Sequence, residues 1–95
     1  MKFYSWNNKK NEQLRATRGI SFEEAVLAIE QGQILDILEH PNKSRYKNQN
    51  VFVVKIFNYA WLIPFVETEN EVFLKTIIPS RKATKKYLRK GEDND

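Results

Sequence analysis

Between residues 51 and 78 three apolar stretches follow one another with only two short interruptions. This spacing constrains the fold more than any other feature of the chain. Val51–Phe57 is a run of β-branched and aromatic residues, a composition that favours strands. Asn58-Tyr59 reads as a tight turn, and Ala60–Val66 as the returning strand. Pro64 has no N–H to give a ladder, so it predicts an edge position or a bulge. Glu67–Asn70 makes the next turn and Glu71–Ile78 the last strand. Strands joined by links this short form an antiparallel meander.

Helices are predicted on both sides of this unit. After a short strand at 2–6, Asn7 or Asn8 caps a helix that runs to about Arg18, where Gly19 ends it. Its apolar face is thin, chiefly Leu14 and Ala16. Ser21-Phe22-Glu23-Glu24 is a capping box, with Ser21 at N-cap and Glu24 at N3. Ala25, Val26, Ala28 and Ile29 give the following helix one apolar side, and Gly32 stops it. Ile34, Leu35, Ile37 and Leu38 suggest a strand, and 39–50 a polar, turn-rich loop. Pro79-Ser80 breaks the meander, and Ser80 caps a final helix to about Lys90, stopped by Gly91. The chain thus predicts an α+β fold: an antiparallel sheet of about four strands, an N-terminal helix pair and a C-terminal basic helix. Its 95 residues suit one domain that buries about 60–65 % of its unfolded surface, with 91–95 as a frayed tail.

Charge is unevenly laid out. Residues 1–20 carry five basic and one acidic side chain, and 21–78 carry five basic and eight acidic. Residues 79–90 carry six basic and none acidic, and 91–95 carry three acidic. If the two ends meet, the cations of the first and last helices lie side by side and make one basic surface. Such a surface attracts a polyanion, RNA first among candidates. On the final helix, Arg81, Lys82, Lys85, Lys86, Arg89 and Lys90 fill one half of the helical wheel. Ala83, Thr84, Tyr87 and Leu88 fill the other. Cations four residues apart destabilise a helix by a few tenths of a kcal/mol per pair. An anionic partner relieves this; the alternative is a solvated face that keeps the chain soluble.

Cysteine is absent, which excludes disulfides and thiolate chemistry and fits a cytoplasmic setting. No apolar run resembles a signal peptide or a membrane span, so no membrane partner is expected. With one histidine and no cysteine, no zinc site or other cofactor is expected. Most aromatics, Phe57 and Tyr59 among them, fall in apolar runs and read as core. Tyr46 and Tyr87 have polar and basic neighbours, which suits stacking on bases. His40, at the start of the polar loop, is a candidate proton carrier. RNA cleavage needs no metal: a base deprotonates the 2′-hydroxyl, cations stabilise the phosphorane, and an acid protonates the 5′-oxygen. The helix start at Ser80–Lys82 offers free N–H groups beside Arg81 for a phosphate.

The residues also carry a family resemblance. Phe3-x-x-Trp6, Lys10 and Gly19-Ile20-Ser21-Phe22-Glu23-Glu24-Ala25 resemble the opening of BrnT-type toxins. Ile77-Ile78-Pro79-Ser80-Arg81-Lys82-Ala83-Thr84 is similar to their closing signature. The likeness extends from Phe3 to about Leu88. It implies a fold like that of RelE-type ribonucleases and an RNA-cleaving toxin. It also implies a cognate antitoxin, a ribbon-helix-helix DNA-binding protein, with operator DNA bound only through the complex. Three departures bear on the chemistry: Asn7 stands for the usual Asp, Arg18 for the usual His, and Lys85-Lys86 where a Glu often follows. The resemblance therefore carries the fold further than the catalytic residues. On this reading Arg81, His40 and Tyr87 are the catalytic candidates. Lys82, Lys75, Lys10, Arg18, Lys85, Arg45 and Tyr46 contact RNA. A non-catalytic binding module and an inactive toxin homologue are the alternatives.

Overall fold

A computed structural model describes residues 2–39, 42, 44–45 and 48–89. In chain order the elements are β1 (Phe3–Trp6), α1 (Asn8–Arg18), α2 (Phe22–Glu30), β2 (Ile34–Glu39) and β3 (Gln49–Ile56). They continue with β4 (Tyr59–Glu67), β5 (Glu71–Leu74), β6 (Ile78–Pro79) and α3 (Arg81–Leu88). Among the described residues the class is α+β, with three helices and an open, mixed sheet of six strands in which β1-β5-β4-β3-β2 lie in order and β6 also pairs with β4. The sheet is not wholly antiparallel, because β1 joins β5 in parallel, from Phe3 beside Glu71 to Trp6 beside Leu74.

Local chemistry explains most element boundaries. Asn7 accepts from Lys10 N at the start of α1, and Gly19, in the left-handed region at φ 65°, ends it. Both halves of the Ser21/Glu24 capping box are formed. The predicted last strand is divided, with Lys75–Ile77 between β5 and β6. Pro64 supplies the reason. Its carbonyl accepts from Lys75 N at 2.8 Å, so the side of β4 on which its N–H is missing is the one facing β5. There the neighbouring strand cannot continue its ladder, and it resumes only at Ile78 beside Leu62. The β3–β4 turn is also shifted from Asn58-Tyr59 to Phe57-Asn58. Both of these residues have positive φ, 55° and 63°, as a two-residue hairpin turn requires.

Two apolar layers cover the two faces of the sheet. Phe52, Val54 and Ile56 of β3 and Trp61, Ile63 and Phe65 of β4 pack in one cluster with Leu14, Phe22, Ala25 and Ile29. Phe52 and Phe65 stack there at 4.0 Å, and Trp6 stacks on Phe22 at 5.7 Å. The alternate residues Val53 and Ala60 pack instead with Ala83, bordered by Leu35, Leu62, Tyr87 and Leu88. Thus α1 and α2 lie on one face and α3 on the other. Phe57, expected in the core, is 67 % exposed.

The predicted thin face of α1 is thinner still. Ala16 is exposed, which leaves Leu14 and Asn11 as its buried side chains. Asn11 is a buried bracket between the helices: its carbonyl oxygen accepts from Phe22 N at 2.7 Å, and its amide donates to Glu23 at 2.8 Å. That amide, with Arg15 nearby, holds the Glu23 carboxyl below its ordinary pKa. Asn11→Ala strands the buried Phe22 N–H, a loss of about 1–3 kcal/mol. Urea unfolding checks this, and an unchanged midpoint would show that the bracket contributes nothing.

Candidate functional site

The site is built on α3, which is fixed to β4 by hydrogen bonds as well as by packing. The Ser80 hydroxyl accepts from Ala83 N at 3.0 Å and caps the helix. Ser80 N donates to Ala60 O at 3.0 Å. Ala60 N in turn donates to Thr84 Oγ1 at 2.9 Å, and that hydroxyl donates to Ser80 O at 2.8 Å. Both backbone groups of Ala60 are therefore taken by α3, and Thr84 is only 2 % exposed. The small residues Ala60, Ala83 and Thr84 let the helix lie close to the sheet, so its cations project from both flanks.

One flank faces the hairpin end of β4. Arg81, Lys85 and Arg89, with Tyr59 and Thr84, line a concavity of about 420 Å³. Among the described residues its lining includes three cations and no acid. The spacing of four residues sets successive cations about 6 Å apart along the helix axis. Tyr59 is steadied by an edge-to-face contact with Trp61, at 6.2 Å between ring centres.

The other flank is different in kind. Lys82, Ala83, Lys86 and Tyr87 border an apolar groove of about 280 Å³ whose far wall is Leu38, Val53 and Leu62. Here the Tyr87 hydroxyl donates to Asp36 Oδ2 at 2.5 Å, while Asp36 Oδ1 accepts from Ile37 N at 2.8 Å. Lys86 Nζ lies 5.1 Å from the centre of the Tyr87 ring. The Tyr87 bond holds the Asp36 carboxyl below its ordinary pKa. The same bond raises the pKa of the Tyr87 phenol. Tyr87 is thus engaged in tethering α3 to β2, where the sequence suggests a base-stacking or catalytic ring.

The remaining candidates are distributed. Lys10 and Lys75 meet across a third concavity of about 350 Å³, with Asn7, Lys9, Gln13 and Phe73. Arg18 donates to Ile77 O at 2.5 Å and ties the end of α1 to the segment between β5 and β6. Arg45 lies in the β2–β3 connection, and none of these three concavities includes it in its lining. His40 and Tyr46 lie outside the described residues.

The shared groove expected between the first and last helices is therefore not formed. The strands β3 and β4 are apolar on both faces, so α1 and α3 cover opposite faces, and among the described residues none of these three concavities is lined by cations of both helices. Tyr59, Asp36 and Arg89 join the site through this packing. Only Arg89 carried a sequence signal, the repeat of four from Arg81 and Lys85. Among the described residues no group of three His, Asp or Glu side chains is placed to hold a metal ion. Nor is any helix among them long and apolar enough to cross a membrane.

No family model, no curated protein and no solved structure matches the chain.

The Tyr87–Asp36 tether predicts a signed pH dependence. Because the native Asp36 pKa is lowered, its contribution is full above the unfolded value of about 3.9 and is lost as pH falls through the native value. Because the native Tyr87 pKa is raised, its contribution is full below about 10 and is lost as pH rises through the native value. The advantage of wild type over Asp36→Ala in urea midpoint should be constant at neutral pH and shrink toward both extremes. A difference that stays flat from acid to alkali would refute the tether.

Proposed function

We propose that this chain binds RNA through the α3 concavity and acts as the toxin of a bacterial toxin–antitoxin pair, cleaving RNA without a metal ion. A cognate antitoxin of the ribbon-helix-helix class would hold it in check, with operator DNA engaged only through the complex. The binding half of this reading is supported by one observation: Arg81, Lys85 and Arg89 border a single concavity that, among the described residues, no acidic side chain lines. The like-charge cost along α3 has its compensation in a polyanion laid against that row. The toxin half rests on the resemblance of the two end motifs.

For cleavage, the 2′-hydroxyl oxygen attacks the adjacent phosphorus and the bond to the 5′-oxygen breaks. Arg81 stabilises the charge on the phosphorane, and Arg89, two turns further along α3, holds a neighbouring phosphate. Tyr59 and Lys85 are the proton-bearing neighbours in the same concavity; His40, the proton carrier expected from the sequence, lies outside the described residues. One proton leaves the 2′-hydroxyl and one arrives on the 5′-oxygen.

A second reading is a non-catalytic RNA binder, and one observation favours it. No histidine or carboxylate, the commonest groups for proton transfer, lines the concavity among the described residues. Incubating purified protein with total RNA and a chelator separates the two. The toxin reading expects cleavage, a loss of at least roughly tenfold in Arg81→Ala, and growth arrest on expression without a partner. A binder leaves the RNA intact and still shifts it in gels, with affinity falling steeply as salt rises. Wild type that neither cuts nor shifts RNA would remove both readings.

A further inference from the structure

We propose that Phe57, at the tip of the β3–β4 hairpin, is a base-stacking platform, which makes single-stranded RNA the class of ligand taken by the α3 concavity. This inference rests on the RNA-binding reading above and specifies its ligand. Phe57 is the most exposed large apolar side chain among the described residues, at 67 %. Its backbone is also in the left-handed region, at φ 55°. Turns of this kind favour Gly or Asn at both central positions, and a bulky side chain there is disfavoured. Folding therefore gains from Phe57 neither burial nor turn geometry.

What Phe57 does gain is its position. It lies two residues before Tyr59, which borders the concavity with Arg81, Lys85 and Arg89. The hairpin closes with Ile56 paired to Tyr59, so the exposed ring and the cation row belong to the same end of the sheet. A row of cations beside an exposed aromatic ring is the combination that binds single strands: the cations follow the phosphates, and unstacked bases cover the ring. A duplex keeps its bases stacked internally and has no use for the ring.

Fluorescence anisotropy with three labelled probes tests this: a short oligouridylate, an RNA duplex of equal length and inorganic polyphosphate. Stacking predicts that Phe57→Ala and Phe57→Gly weaken oligouridylate binding roughly tenfold and leave duplex and polyphosphate affinities unchanged. Phe57→Trp retains the oligouridylate affinity. The Gly variant suits the left-handed turn, so its urea midpoint holds or rises and unfolding cannot account for its loss of affinity. Lys85→Ala combined with Arg89→Ala weakens all three probes. If that double variant weakens all three while Phe57→Ala and Phe57→Gly bind as wild type does, the stacking inference is overturned and the RNA-binding reading stands. If wild type binds none of the probes, both fall.

Discussion

The two-sided hydrophobicity of the β3–β4 hairpin governs the rest of this molecule. Phe52, Val53 and Val54 are consecutive and all buried, as are Ala60 and Trp61. Neighbouring residues of a strand point to opposite faces, so a run of this kind must be covered from both sides. One face carries the large residues and receives α1 and α2. The other carries Val53, Ala60 and Leu62 and receives α3. The asymmetry in side-chain size makes the first layer a thick core and the second a close, shallow contact.

That shallow contact accounts for how a helix so rich in cations remains in place. Few apolar atoms of α3 are buried, and its like charges oppose helix formation. Directed bonds offset the deficit. Thr84 and Ser80 take both backbone groups of Ala60, and Tyr87 reaches Asp36. The helix is thereby held at its start over β4 and near its end over β2. Its flanks are left to the solvent, and the cations divide between a polar concavity on one side and an apolar groove on the other.

Much of the local structure was legible because its causes are local. Asn7, Gly19, Ser21 and Ser80 act within a few residues of where they stand, and each cap appears at the expected place. Pro64 announced an irregularity, and the break between β5 and β6 is that irregularity displaced onto the neighbouring strand. The parallel pairing of β1 with β5 depends on contacts more than sixty residues apart in sequence, for which no motif speaks. The hairpin turn was misplaced because Asn58 is a good turn residue in either register, whereas Phe57 carries no preference for positive φ. The separation of the two basic helices had a signal after all, since consecutive apolar residues in 52–54 imply cover on both faces. Of the site, the repeat of Arg81, Lys85 and Arg89 can be read from spacing alone. Tyr59 and Asp36 enter only through tertiary packing.

The division of α3 into two flanks also bears on chemistry. Arg81 and Tyr87 are six residues apart, about 9 Å along the axis and about 120° apart in direction. A phosphate gripped by Arg81 in the concavity is therefore remote from the Tyr87 hydroxyl, which Asp36 already engages. Arg81 and the Tyr87 phenol do not share one centre. The row of cations and the Tyr87–Asp36 tether are thus separate features of α3, one on each flank.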